Sequence, residues 1–129
     1  MYSKYLSKLL VVFLFISSCT TTRELSQEEE WQKINQLFQE IQDMATSMDC
    51  EDPAEWTFTS YGSKACGGPV GYIAYSKRID TSLFLKKIEE HKKLQYDYNK
   101  KWGIISDCSV PPQPIGVSCK NGEAVLQYP

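Results

Sequence analysis

The stretch SQEEEWQKINQLFQEIQDMATSM, residues 26–48, decides the fold because it carries a full set of signals for an amphipathic helix. Ser26 and Glu29 have the spacing of a capping box, and three consecutive glutamates place negative charge where a helix N-terminus favours it. Apolar residues recur at spacings of three and four, so they form one stripe that the helix should bury. The stripe consists of Trp31, Ile34, Leu37, Phe38, Ile41, Met44, Ala45 and Met48.

The first 18 residues, upstream of this helix, have the pattern of an export signal. Lys4 and Lys8 form a basic start, and an unbroken apolar run follows over residues 9–16. This run matches the core of a signal peptide but falls far short of the roughly 20 residues that a membrane-spanning helix needs. The pattern therefore predicts a segment that is removed, and not a permanent membrane span.

The apolar run ends in Ile16-Ser17-Ser18-Cys19, which resembles the lipobox of bacterial lipoproteins. In that family the cysteine becomes the first residue of the mature chain, with lipid on its sulfur and an acyl group on its amino nitrogen. The resemblance implies cleavage of residues 1–18, lipidation of Cys19 and a short lipidated tether over residues 19–25. Several acyl chains attach a protein stably to a membrane, whereas one chain is marginal. An ordinary secretory signal cleaved elsewhere is the alternative.

Length and charge limit the mature chain further. Of the 129 residues, 111 remain after residue 18, which is enough for one small domain over residues 26–129. The mature chain keeps 12 of the 14 basic residues and all 16 acidic ones, so its net charge is −4. This balance argues against nucleic acid as a partner and against general binding to anionic membranes.

Four cysteines remain beside the lipidated one: Cys50, Cys66, Cys108 and Cys119. An even number in an exported chain predicts two disulfides. We favour the pairs Cys50 with Cys66 and Cys108 with Cys119, which close the shortest loops, and the crossed and nested pairings stay open. A zinc site is the rival interpretation, but the set has no Cys-x-x-Cys pair and only one histidine to help. We therefore expect no metal and no cofactor.

A second helix is predicted downstream, capped by Asp80, Thr81 or Ser82 and stopped by Gly103. Its apolar side holds Phe84, Ile88, His91, Tyr98 and Trp102 at helical spacing. His91 is the only histidine, and its place in this stripe predicts a core or boundary residue. A catalytic Cys-His pair would need a free thiol, but all four remaining cysteines are expected to form disulfides. We therefore assign no catalytic residue.

Several short strands are predicted around the second helix. Residues 56–61 and 72–76 are rich in threonine and aromatic side chains, and they bracket a glycine-rich loop over residues 62–69. A further strand is expected at 104–107. Asn121-Gly122 is the preferred pair for a two-residue hairpin turn. Such a turn places Cys119 opposite Ala124 and Val117 opposite Leu126. Alternation then gives one buried face to Val117, Cys119, Ala124, Leu126 and Tyr128.

The glycine-rich loop is the candidate for contact with a partner. Its candidate residues are Gly62, Ser63, Lys64, Gly67 and Gly68. A phosphate-binding loop would need a Gly-Lys-Ser/Thr ending before a helix, which this loop lacks. A lysine on a loop stiffened by a disulfide can instead act as a wedge into a partner's pocket, because preorganisation lowers the entropic cost of binding. The simpler alternative is a connector held by Cys66.

Together these patterns predict an α+β domain. Two amphipathic helices should pack on a small antiparallel sheet that includes residues 56–61, residues 72–76 and the C-terminal hairpin, with two disulfides. Wound parallel sheets need more alternation between strands and helices than this chain offers.

Two motifs in the mature chain, Gly-Ser-Lys-Ala-Cys-Gly-Gly-Pro from residue 62 and Trp-Gly-Ile-Ile-Ser-Asp-Cys from residue 102, give a resemblance to small disulfide-containing lipoproteins of Bacteroidota. That group carries no known activity. The resemblance implies a lipid-anchored protein of the cell envelope, in the outer membrane of a Gram-negative bacterium, with its periplasmic or surface side left open. The leading hypothesis is a non-enzymatic binding module for an envelope or extracellular protein, such as an inhibitor of a lysozyme or protease. A structural lipoprotein that supports an assembly is the second hypothesis, and an enzyme is the third.

Overall fold

A computed structural model describes residues 23–129, so the predicted signal peptide, Cys19 and most of the predicted tether lie outside the described residues. The order of elements is helix α1 (Gln27–Ala45), a short 3-10 helix (Pro53–Glu55), strands β1 (Trp56–Tyr61) and β2 (Gly71–Ser76), helix α2 (Thr81–Trp102), and strands β3 (Gly116–Lys120) and β4 (Glu123–Gln127). The predicted α+β class is confirmed.

The two helices begin as the sequence predicts. Ser26 Oγ accepts a hydrogen bond from the Glu29 amide at 3.3 Å, and the Ser26 amide donates to Glu29 Oε2 at 2.8 Å. These two bonds form the complete capping box. Asp80 caps α2 by accepting from the Leu83 amide at 2.9 Å, and Gly103 ends α2 in the left-handed conformation with φ 60°. Both caps therefore satisfy backbone groups that a helix end would otherwise leave unpaired.

The helices lie antiparallel, with the first turns of α1 beside the last turns of α2. Glu30 accepts hydrogen bonds from the Lys101 ammonium and, at 2.8 Å, from Trp102 Nε1. Further along, the Lys87 ammonium contacts Glu40 at 2.6 Å. The acidic first helix is thus paired with the lysine-rich second helix, although partly exposed ion pairs of this kind contribute little to stability.

The core lies where the apolar stripes of both helices meet the first pair of strands. Ile41 and Phe84 are completely buried, and Ile88, Ala45 and Tyr75 complete the cluster. The rings of Tyr75 and Phe84 have their centroids 4.6 Å apart. Because α1, α2 and β2 all contribute to this cluster, it holds the helices and the strands together.

The strands form two separate antiparallel sheets, β1 with β2 and β3 with β4, and not the single sheet that we expected. The C-terminal hairpin closes on itself through Asn121 and Gly122, which both have the positive φ that a type I′ turn requires. Its half-buried face packs near β1 and β2, so it adds contacts there without extending their ladder of hydrogen bonds. The Cys50 amide fastens the turn by donating to Gly122 O at 2.8 Å.

Most of the predicted hairpin is confirmed. Cys119 pairs with Ala124 and Val117 pairs with Leu126, and these four residues share a half-buried face. Tyr128, which we placed on the same buried face, is exposed because it lies beyond the last residue of β4.

The strand expected at residues 104–107 does not form. The Ile104 amide bonds back to Asn99 O at the end of α2, and the Ser106 hydroxyl accepts from the Cys66 amide. These polar groups form hydrogen bonds with the helix end and with the glycine-rich loop, and not with a neighbouring strand.

The disulfide pairing that we favoured is wrong. The bonds join Cys50 to Cys119 and Cys66 to Cys108, which is the nested arrangement. The physical reason is the antiparallel return of the chain. The segment that leaves α2 passes beside the glycine-rich loop, and the hairpin returns to the corner after α1. Closeness along the sequence therefore did not predict closeness in space.

Candidate functional site

The glycine-rich loop is a fixed structure that is fastened on both sides. The Lys64 amide donates to Gly68 O at 3.0 Å, and the Gly67 amide donates to Lys64 O at 2.9 Å. Gly62 has φ +73°, and a Cβ there would meet Val70 and Gln95 at 2.7 Å. Only glycine fits this position without a shift of its neighbours. The loop is therefore preorganised, as expected for a loop that a disulfide at Cys66 stiffens.

Lys64 does not present a free charge, which removes the geometric basis of the wedge hypothesis. Its ammonium donates to Asp107 Oδ1 at 2.8 Å, to Ser109 O at 2.7 Å and to Ser109 Oγ at 2.9 Å, and the side chain is only 15% exposed. The hydrogen bond from Lys64 lowers the pKa of the Asp107 carboxyl, and the Ser109 hydroxyl adds to this effect. Lys64 thus cross-links the loop to the segment after α2, beside the Cys66–Cys108 disulfide.

The other candidate residues of the loop divide into two groups. Gly67 and Gly68 are exposed, with positive φ and no heavy atom within 4 Å of a built Cβ. Gly62 and Ser63 are buried. The Ser63 amide donates to Gln95 Oε1 at 2.7 Å, and its carbonyl accepts from Asn99 Nδ2 at 2.8 Å. The loop therefore docks on α2 through Ser63 and presents only its far side to solvent.

A cleft that the sequence did not predict lies between the C-terminal hairpin and the end of α1. It has a volume of about 790 Å³, and its walls come from the last turn of α1, the start of β1, the middle of β2 and most of the hairpin. Apolar and aromatic side chains provide much of the lining, including Met48, Trp56, Tyr72, Leu126 and Tyr128. A concave apolar surface with few polar groups is the usual form of a binding site.

The cleft has two further features that bear on what it binds. The charged residues in its lining are Asp49 and Glu123, both exposed, so its rim is acidic. Trp56 contributes to the wall and is buried, and its Nε1 has no hydrogen-bond partner in the part of the chain that the structure describes. A buried donor without a partner costs free energy.

His91 is a core histidine, as predicted from the apolar stripe. It is buried with its ring centroid 5.1 Å from that of Phe38. Its Nδ1 finds no partner among residues 23–129, and burial lowers the pKa of the imidazole below its usual 6.5. The ring is therefore held in the neutral form inside the helix pair.

This burial makes stability depend on pH. The unfolded chain binds a proton at His91 near pH 6.5, whereas the folded chain resists protonation there. The stabilising contribution of neutral His91 is therefore present above pH 6.5 and is lost as the pH falls below that value. We expect urea unfolding of the wild type to show a loss of stability between about pH 7 and about pH 5. The variant His91→Gln should show a smaller loss over the same range, and equal losses in both proteins would contradict this assignment.

No group of three or more His, Cys, Asp or Glu residues in the described range 23–129 is placed to hold a metal ion. In that same range, neither helix is long and apolar enough to cross a membrane. No protein-family model, no curated protein and no solved structure matches the chain.

Proposed function

We propose that this protein is a lipid-anchored lipoprotein of the cell envelope, in the outer membrane of a Gram-negative bacterium, whose folded domain is a non-enzymatic binding module. The anchor is supported by the lipobox pattern ending in Cys19. It is also supported by the cysteine count, because the two disulfides take up the other four cysteines of the chain. An exported chain with one cysteine left over agrees with lipidation of that cysteine.

The cleft, and not the Lys64 side chain, is the proposed surface of contact with a partner. Its apolar and aromatic walls suit an apolar side chain of a partner, and its acidic rim at Asp49 and Glu123 suits a basic group beside it. A lysozyme with a basic surface matches this charge pattern, whereas nothing in the pattern favours a protease. We therefore propose inhibition of a basic lysozyme, with a loop of the enzyme inserted in the cleft.

Two tyrosines of matched exposure provide the test. Tyr128 lines the cleft and is 47% exposed, whereas Tyr96 lies on α2, outside the cleft lining, and is 48% exposed. Binding of purified protein to a basic lysozyme is measured by calorimetry. The variant Tyr128→Ala should weaken the affinity about tenfold or more, because an exposed aromatic side chain that a bound partner covers is a typical hot spot. The variant Tyr96→Ala should bind like the wild type.

The acidic rim gives a second measurement on the same complex. The double variant Asp49→Asn/Glu123→Gln should slow association and reduce its dependence on salt, because exposed rim charges mainly steer the encounter. Failure of the wild type to bind the lysozyme, or equal losses in Tyr128→Ala and Tyr96→Ala, would overturn the cleft as the contact surface.

A further inference from the structure

The end of the domain that receives the tether also carries the segment after α2. Trp31 of α1 stacks near Tyr98 of α2, with ring centroids 5.4 Å apart. Trp31 also lines one shallow groove together with Ile104 and Ser106. We call this region, residues 26–31 with residues 98–110, the tether end. The cleft lies elsewhere, beside the last turn of α1.

Two large aliphatic side chains project into solvent at the tether end. Ile105 is 93% exposed and Val110 is 82% exposed. We call this pair the apolar tip. The Cys66–Cys108 disulfide and the bonds from Lys64 to Asp107 and Ser109 fasten the backbone between them. Because the segment is fastened, the two side chains cannot turn inward to escape water.

Some of the polar groups beside the apolar tip are bonded within the protein or are missing. The Asp107 carboxylate accepts from the Lys64 ammonium and, at 2.8 Å, from the Ser109 hydroxyl. Pro111 and Pro112 follow the tip directly and have no amide hydrogen to leave unpaired. The Asp107 side chain is still 74% exposed, so we expect only the two aliphatic side chains, and not the backbone between them, to enter an apolar layer.

We propose that the apolar tip docks into the surface of the bilayer to which Cys19 anchors the chain, and this inference rests on the proposed anchor. The chain from Cys19 to Arg23 spans four residues, so it reaches at most about 14 Å. The tether end is thus held near the lipid headgroups, and the high effective concentration makes even a weak apolar contact persistent. Because Lys64 and Lys101 are paired with Asp107 and Glu30, and the mature chain is acidic, docking should not require anionic lipid. The cleft is then left open to a partner.

The test compares one new tryptophan at each end of α2. The lipidated mature protein is reconstituted in vesicles of neutral phosphatidylcholine, with and without bromine on the acyl chains. The variant Ile105→Trp places an indole at the apolar tip. The matched control Leu83→Trp places one at an exposed leucine about 30 Å away along α2. Tryptophan emission beyond that of the wild type is compared between the two kinds of vesicle.

We expect brominated lipid to remove roughly half or more of the added emission of Ile105→Trp, since interfacial side chains reach the acyl boundary, and to leave that of Leu83→Trp nearly unchanged. Equal quenching of the two variants on vesicles that carry the protein would overturn the docking and leave the anchor standing. Protein that lacks lipid on Cys19 and does not float with the vesicles would overturn the anchor and the docking together. A photoreactive side chain at residue 105 that captures an envelope protein in cells, and not lipid, would also overturn the docking.

Discussion

Replacing Phe84 by alanine should lower the free energy of unfolding by about 3–5 kcal/mol, the range for deletion of a buried aromatic side chain. Phe84 is completely buried and contacts the ring of Tyr75 within the core cluster. Removal of the ring loses the favourable free energy of its transfer from water into the core, and it leaves a cavity between α2, α1 and β2. A small domain has few other core residues to compensate, so much of its stability is at risk. Chemical denaturation followed by circular dichroism measures the loss.

The neighbouring residue is the matched control for this prediction. Leu85 lies on the same turn of α2 but is 39% exposed. The variant Leu85→Ala should cost less than about 1 kcal/mol, since a partly exposed side chain loses little burial. Similar losses in Phe84→Ala and Leu85→Ala would contradict the orientation of α2 in the fold.

Removal of the Cys50–Cys119 disulfide by the double variant Cys50→Ala/Cys119→Ala should cost roughly 4 kcal/mol in the chain-entropy description. The two cysteines are 69 residues apart in sequence, so the bond restricts a long loop in the unfolded chain. In the folded chain this bond holds the hairpin to the corner after α1, where the Cys50 amide also donates to Gly122 O. We expect a lower midpoint of thermal unfolding, measured against wild-type protein with its disulfides intact.

The count of free thiols in these variants tests the nested pairing itself. The variant Cys50→Ala/Cys119→Ala keeps Cys66 and Cys108, which remain joined, so it should have no free thiol within residues 23–129. The matched variant Cys50→Ala/Cys66→Ala removes one partner from each bond and should expose two free thiols. If Cys50 were joined to Cys66 and Cys108 to Cys119, the first variant would expose two free thiols and the second would expose none. The thiol count therefore distinguishes the nested pairing from the adjacent one.

The helices were predictable because their signals are local. The capping box at Ser26, the cap at Asp80 and the stop at Gly103 each depend on residues within one turn, and the apolar stripes depend on spacing alone. The hairpin register followed in the same way from the turn pair and from alternation. His91 was correctly placed in the core because it falls inside a helical stripe.

The disulfide pairing and the cleft could not be predicted in this way, because they depend on which distant segments meet. Cys66 and Cys108 come together only because α2 turns the chain back along the glycine-rich loop. The cleft forms between α1, β2 and the hairpin, and its lining is spread over residues 42–128. Lys64 carried a misleading signal, since a lysine on a stiff loop gives no local indication that Asp107 and Ser109 will satisfy it. The exposure of Ile105 was not predicted either, because the sequence indicated a strand over residues 104–107 and no strand forms there.

Both proposals place the protein on a membrane through lipid on Cys19: the proposed anchor would orient the tether end towards lipid and leave the cleft open to a partner. The most direct measurement is the intact mass of the protein extracted from the membranes of cells that produce it, followed by fragmentation of its N-terminal peptide. The account predicts a chain that begins at Cys19, with lipid on its sulfur and an acyl group on its amino nitrogen. An unmodified chain in which Cys19 is internal would contradict it.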